Sequence, residues 1–139
     1  MKESGIDEIQ ELIIDDFSFF ESWDEKYTYI IDLGKQLPPI TPINKTDINK
    51  VKGCQSQVWL HAYKKDDKIF YEADSDAIIV KGLIALLLQI FSSQKAIDIV
   101  QSELYFINKI GMHQHLSPTR SNGLSAMVKQ IKFYALALQ

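Results

Sequence analysis

The sequence predicts an α+β fold: a small antiparallel sheet of about three strands packed by flanking helices. Three observations lead there. Period-two alternation of apolar residues is confined to mid-chain. Apolar residues at three-to-four spacing dominate before and after it, which argues against alternating βαβ units. A chain of 139 residues that is 46% hydrophobic with a formal charge of −3 suits one compact domain, residues 1–139, with a core of useful size.

Ile6, Ile9, Leu12, Ile13, Phe17 and Phe20 fall on one face of a first helix. Ser22 followed by Glu25 is a capping-box pattern, in which hydroxyl and carboxylate each satisfy a free amide; Tyr27, Ile30 and Ile31 then carry the apolar face of a second helix until Gly34 stops it. Prolines 38, 39 and 42 forbid helix from Leu37 to Asn44 and predict an extended linker on the surface. Val58, Leu60 and Ala62 alternate with Trp59, His61 and Tyr63. The polar turn Lys65-Asp66-Asp67-Lys68 separates that run from Ile69, Tyr71 and Ala73, which makes an antiparallel hairpin. His61 stands where an apolar residue is expected and so should face solvent. Asp74-Ser75-Asp76 is predicted to cap a long buried helix from about Ala77 to Phe91, in which Gly82 permits close backbone approach. Ser92 and Ser93 break it. Short helices over Lys95–Gln101 and Leu104–Ile110 end at Gly111, and a polar loop from Met112 to Ser121 precedes a last helix carrying Leu124, Met127, Val128, Ile131 and Leu138 inward.

Several function classes are poor fits. One cysteine cannot make an internal disulfide and supplies one ligand where a structural zinc or iron–sulfur site asks for about four. The acidic start, Met1-Lys2-Glu3-Ser4-Gly5-Ile6-Asp7-Glu8, lacks the apolar run of a signal peptide, so the expected compartment is a reducing cytoplasm. The longest apolar stretch, Ile78 to Phe91, is interrupted by Lys81 and Gln89 and falls short of the ~20 residues of a membrane span. Mixed charges of net −3 give no broad footprint for nucleic acid.

Gly53-Cys54-Gln55-Ser56-Gln57-Val58-Trp59 sets the sole thiol on a small, polar turn running straight into a strand. Asp74-Ser75-Asp76-Ala77 leads into Val80-Lys81-Gly82-Leu83, and Gln114-His115-Leu116-Ser117-Pro118-Thr119-Arg120-Ser121-Asn122-Gly123-Leu124 follows. In order and spacing these three motifs resemble the SufE family of sulfur-acceptor proteins. Trp23 to Pro39 is similar to that family's amino-terminal helix and linker, so the likeness covers nearly the whole chain. The resemblance implies a fold similar to IscU-type scaffold proteins, with Cys54 as the acceptor of persulfide sulfur. The donor would be a SufS- or CsdA-like cysteine desulfurase, which the protein would also stimulate, and the receiver a SufBCD-like iron–sulfur scaffold. Pyridoxal phosphate would belong to the desulfurase, with no cofactor bound here. The chain would be a transfer partner rather than an enzyme, as monomer or homodimer; the CsdE branch shares the motifs.

Physically, Cys54 would perform thiol–disulfide exchange with one sulfur replaced, Gly53 giving the turn its reach. With no second cysteine, a persulfide cannot collapse into an internal disulfide. The turn is expected to tuck the sulfur against apolar neighbours and to swing out on docking. The resemblance carries Gly53, Gln55, Ser56, Asp74, His115 and Arg120 as partner-binding or loop-supporting residues. Taken alone, Arg120 is a solvated charge in the first turn before a helix, where its sign opposes the dipole. Asp74 and Asp76 read as helix caps, and Trp59 as a packing anchor behind the turn. Lys50 and Lys52 read as exposed lysines sooner than as charges that depress the thiol pKa. His113 and His115 have no local Asp, Glu or Cys to complete a ligand set, so His115 reads as ordering its loop. Two other functions stay open: a cysteine hydrolase or transferase pairing Cys54 with His113 or His115, and a cluster scaffold sharing ligands between subunits.

Overall fold

A computed structural model describes residues 5–139. In it, helices α1 (Ile6–Ser18) and α2 (Trp23–Gln36) precede a hairpin of β1 (Val58–Lys65) and β2 (Lys68–Ser75). Helices α3 (Ile78–Phe91), α4 (Ala96–Gln101), α5 (Phe106–Lys109) and α6 (Pro118–Leu138) follow. The fold is α+β as expected, but the sheet has two strands rather than about three. Pairing runs in antiparallel register from Val58 opposite Ser75 to Lys65 opposite Lys68. Asp66 and Asp67 at the turn both have positive φ, 52° and 66°, the mirror-image turn that matches strand twist. Among the described residues no third strand forms, each flanking segment making a single bridge, Lys50 to Trp59 and Ile69 to Gln94. Positive φ at Gly53 and Ser93 turns the chain away beside each bridge.

The inner face of the hairpin, Val58, Leu60, Ala62, Ile69, Tyr71 and Ala73, is buried, as alternation predicts. It packs on α3, whose Leu83, Ile84, Leu86, Leu87, Ile90 and Phe91 form the centre of the core, and on α6. Helix α2 crosses α3 where a Cβ on Gly34 would stand 2.8 Å from the Gly82 amide nitrogen. Gly34 is therefore a contact inside α2 and not its stop; the helix runs on to Gln36 and ends before the prolines.

Other local expectations need correction. The Ser22 hydroxyl accepts the Glu25 amide at 3.2 Å, but the Glu25 carboxylate turns to the Glu21 amide at 3.0 Å, one residue ahead of the box. Leu12 is exposed, and Phe20 lies past the end of α1, against Phe17 and Tyr29. Pro42 opens a short 3₁₀ turn, Pro42–Asn44, at a first position that has no use for an amide hydrogen. Thr41 and Asn44 tie that turn to the Glu72 carboxylate at 2.9 and 2.7 Å. Helix α6 begins at Pro118, short of the predicted loop end at Ser121, because Ser117 caps it by accepting the Arg120 amide at 3.2 Å. Neither Asp74 nor Asp76 caps α3. Ser75 Oγ accepts the Ala77 amide at 3.2 Å, while both carboxylates are drawn to partners elsewhere.

Candidate functional site

Residues 52–57 form a loop closed at its base. The Val51 amide donates to the Val58 carbonyl at 2.8 Å, and the Gln57 amide donates to Asp76 Oδ1 at 3.0 Å while the Asp76 amide donates back to the Gln57 carbonyl at 3.3 Å. Gly53 takes φ +93°, where L residues are strained, and a Cβ there would press within 3.3 Å of Ala126 Cβ. Cys54 thereby lies half-buried against the second turn of α6, its thiol donating to the Gly123 carbonyl at 3.5 Å. The sulfur faces a cleft of about 430 Å³. It is lined by Gln55 and Ser56 of the loop, by the apolar Val80, Leu83, Leu124 and Met127, and by Ser117, Thr119 and Arg120 at the start of α6.

Burial pushes the Cys54 thiol above its ordinary pKa, and no charged neighbour counters it. The carbonyl acceptor acts the same way, since only the protonated thiol donates to it. Lys50 is engaged elsewhere, 3.3 Å from Asp47 and over the Trp59 ring, and Lys52 is exposed. In the closed loop, burial and the carbonyl contact both favour the protonated thiol over the thiolate.

Of the residues singled out in the sequence, Gly53, Cys54, Gln55, Ser56 and Arg120 come together here. Asp74 stands apart from the cleft, clasped by Lys45 at 3.0 Å and Lys81 at 3.4 Å. Partial burial alone would raise its carboxyl. The Lys45 and Ser75 hydrogen bonds and the two lysine charges outweigh burial and leave the pKa lowered. The His115 ring stacks on Trp23 with centroids 3.8 Å apart, and its carbonyl accepts the Tyr27 hydroxyl at 2.8 Å, so it fastens its loop to α2. His113 lines a separate cleft with Leu104, Leu116 and Lys129; neither histidine lines the Cys54 cleft. Trp59 is on the outer face of the hairpin beneath Lys45, 4.6 Å from its ring centroid, rather than behind the turn. His61 is half-buried on that face, opposite Glu72. Among the described residues no three His, Cys, Asp or Glu side chains gather as a metal site.

Sequence reasoning missed the backbone carbonyl at position 123 as the acceptor of the thiol and Asp76 as the clasp of the loop. A glycine within a helical pattern was the available signal for the first. The second had none, since its partner is a backbone amide.

A family model described as SufE, Fe-S metabolism associated domain, matches residues 11–135. Two uncharacterized SufE-like proteins, from Rhizobium meliloti (strain 1021) and Rhizobium etli, are each 45% identical over 125 residues. Both alignments cover 86% of this chain, and they cover 89% and 84% of those proteins respectively. A solution structure of a hypothetical protein from Thermus thermophilus superimposes with a TM-score of 0.77 over 93% of this chain and 94% of that one, a likeness of fold at 17% identity. With a family model that spans nearly all of α1 to α6 and relatives alike over most of their lengths, the chain belongs to the SufE family, whose domain is associated with iron–sulfur metabolism.

Proposed function

We propose that this protein is a single-domain sulfur carrier of the cytoplasm. Cys54 takes sulfur from the persulfide of a cysteine desulfurase, SufS- or CsdA-like, stimulates that enzyme by clearing it, and delivers the sulfur to a SufBCD-like iron–sulfur scaffold. The Cys54 thiolate attacks the outer sulfur of the donor persulfide. A new sulfur–sulfur bond forms on Sγ, the donor's bond breaks, and the donor thiolate leaves with the bonding pair and takes up the proton that Cys54 released. No net oxidation occurs. Onward transfer repeats the displacement, with Cys54 as leaving group. Pyridoxal phosphate serves the donor's chemistry and has no place in this chain.

The observation that carries the reading is the seating of the sole thiol: a loop pinned at its base whose sulfur is held by one 3.5 Å contact and apolar walls. Such a loop can release its sulfur without disturbing the core. Arg120, which lines the same cleft, supports the reading as a positive charge that would favour the departing donor thiolate.

Incubation with a cysteine desulfurase and cysteine, followed by intact-mass analysis, should add one sulfur atom to Cys54. Cys54→Ser should add none, fail to stimulate the desulfurase, and keep the melting temperature of the parent. Retained stimulation in Cys54→Ser would refute the mechanism. An acyl adduct on Cys54 in place of sulfur would establish the hydrolase instead.

A further inference from the structure

Three helical glycines lie buried in the described chain, and their surroundings differ. A side chain on Gly34 or Gly82 would collide with the backbone of the facing helix. At Gly123 the three atoms nearest a Cβ all belong to Cys54: Sγ at 3.5 Å, then Cα and Cβ at 3.9 Å. These are ordinary van der Waals separations. Alanine would fit there against the thiol, and it is a far better helix former than glycine. Neither helix packing nor the resting thiol therefore requires the missing side chain.

Resting on the carrier reading, we infer that Gly123 is a positioning residue for sulfur storage: it reserves the space in which the outer sulfur of a Cys54 persulfide lies while the loop is closed. An outer sulfur sits about 2 Å from Sγ. A methyl group 3.5 Å from the same Sγ would therefore contest the rotamers turned toward α6. The rotamers left would turn the outer sulfur away from α6. Room is not otherwise short, since one sulfur needs on the order of 30 Å³, about the share of a water molecule, in a cleft of about 430 Å³. In the inward position the outer sulfur would lie in the cleft that Val80, Leu83 and Met127 line. A thiolate removes the cargo by attacking the outer sulfur, forming a new persulfide and releasing the Cys54 thiolate, or by attacking Sγ, forming a mixed disulfide and releasing hydrosulfide; burial of the persulfide slows both and lengthens storage.

The test loads wild type and Gly123→Ala with sodium polysulfide, removes the excess, and follows the sulfur adduct by intact mass in dilute glutathione. Iodoacetamide labelling of the unloaded thiol and thermal melts are run beside it. The variant should melt no lower than wild type and label at the same rate, yet lose its persulfide about tenfold faster, the cost expected of a methylene forced into occupied space. Equal persulfide lifetimes would overturn the inference. Faster labelling of the unloaded thiol would overturn it too, by showing that the glycine seats the loop rather than the cargo. If wild type itself retains no sulfur on Cys54, the carrier reading fails first, which separates the two failures.

Discussion

Asp76 should control how often the Cys54 loop opens. Its carboxylate accepts the Gln57 amide at 3.0 Å on the surface of the protein, one of three hydrogen bonds at the loop base. A hydrogen bond to a charged group contributes about 1.5–3 kcal/mol when sheltered. In an exposed position about 1 kcal/mol is reasonable for its loss, or about a fivefold rise in the ratio of open to closed loop. Asp76→Ala removes the acceptor, whereas Asp76→Asn keeps a carbonyl oxygen and should fall between the variant and wild type. Iodoacetamide reacts slowly enough that its rate at Cys54 reports the open population, so Asp76→Ala should label about fivefold faster at constant pH. The urea midpoint of global unfolding serves as the control for the core. If amide exchange at Gln57 accelerates while labelling of Cys54 stays at the wild-type rate, the fastening does not govern opening and the reasoning is wrong.

Two further outcomes follow from the same structure. Because burial raises the Cys54 pKa, its labelling rate should climb with pH to a midpoint above that of a free thiol. The folded protein then holds this proton more tightly than the unfolded chain. The thiol's stabilising contribution should be complete below the unfolded pKa and lost as pH rises through the folded one. Urea unfolding of wild type against Cys54→Ser across that alkaline range should show wild type losing the more stability; parallel curves would contradict it. Gly82→Ala places a methyl on the Ile30 carbonyl at the α2–α3 crossing and should cost about 3 kcal/mol by chemical denaturation. A stability within error of wild type would mean that this crossing yields readily.

The hairpin was legible because alternation encodes a sheet face directly, and its six inward residues are the ones found buried. The cysteine turn was legible because a lone thiol beside glycine needs no partner to be noticed. What supports the turn was not. The α6 carbonyl that receives the thiol lies 69 residues away, and periodicity carries no information about which loop will cover a given helix turn. Asp74 and Asp76 show the same limit from the other side. A carboxylate just before a helix always has free amides to satisfy. Here Lys45 and Lys81 claim one carboxylate and a loop amide the other, and only the fold decides that competition. The sequence leads one to expect His115 to order its loop through ring hydrogen bonds; in the structure its ring stacks on Trp23 and its carbonyl accepts the Tyr27 hydroxyl.

Two observations favour the carrier over the hydrolase: neither candidate histidine lines the Cys54 cleft, and burial raises the thiol pKa. A cysteine hydrolase needs its thiolate at rest, and obtains it from an adjacent histidine or a helix start that depresses the pKa. Here burial raises the pKa, the thiol proton rests on a carbonyl, and both candidate histidines belong to other parts of the surface. For a hydrolase that arrangement is a defect. For a carrier it is an advantage, because a sulfur that is protonated and covered between deliveries resists oxidants and stray disulfides. On the proposed carrier reading, reactivity would come from opening the loop, and docking to a partner would uncover and ionise Cys54, confining transfer to the encounter that can use it.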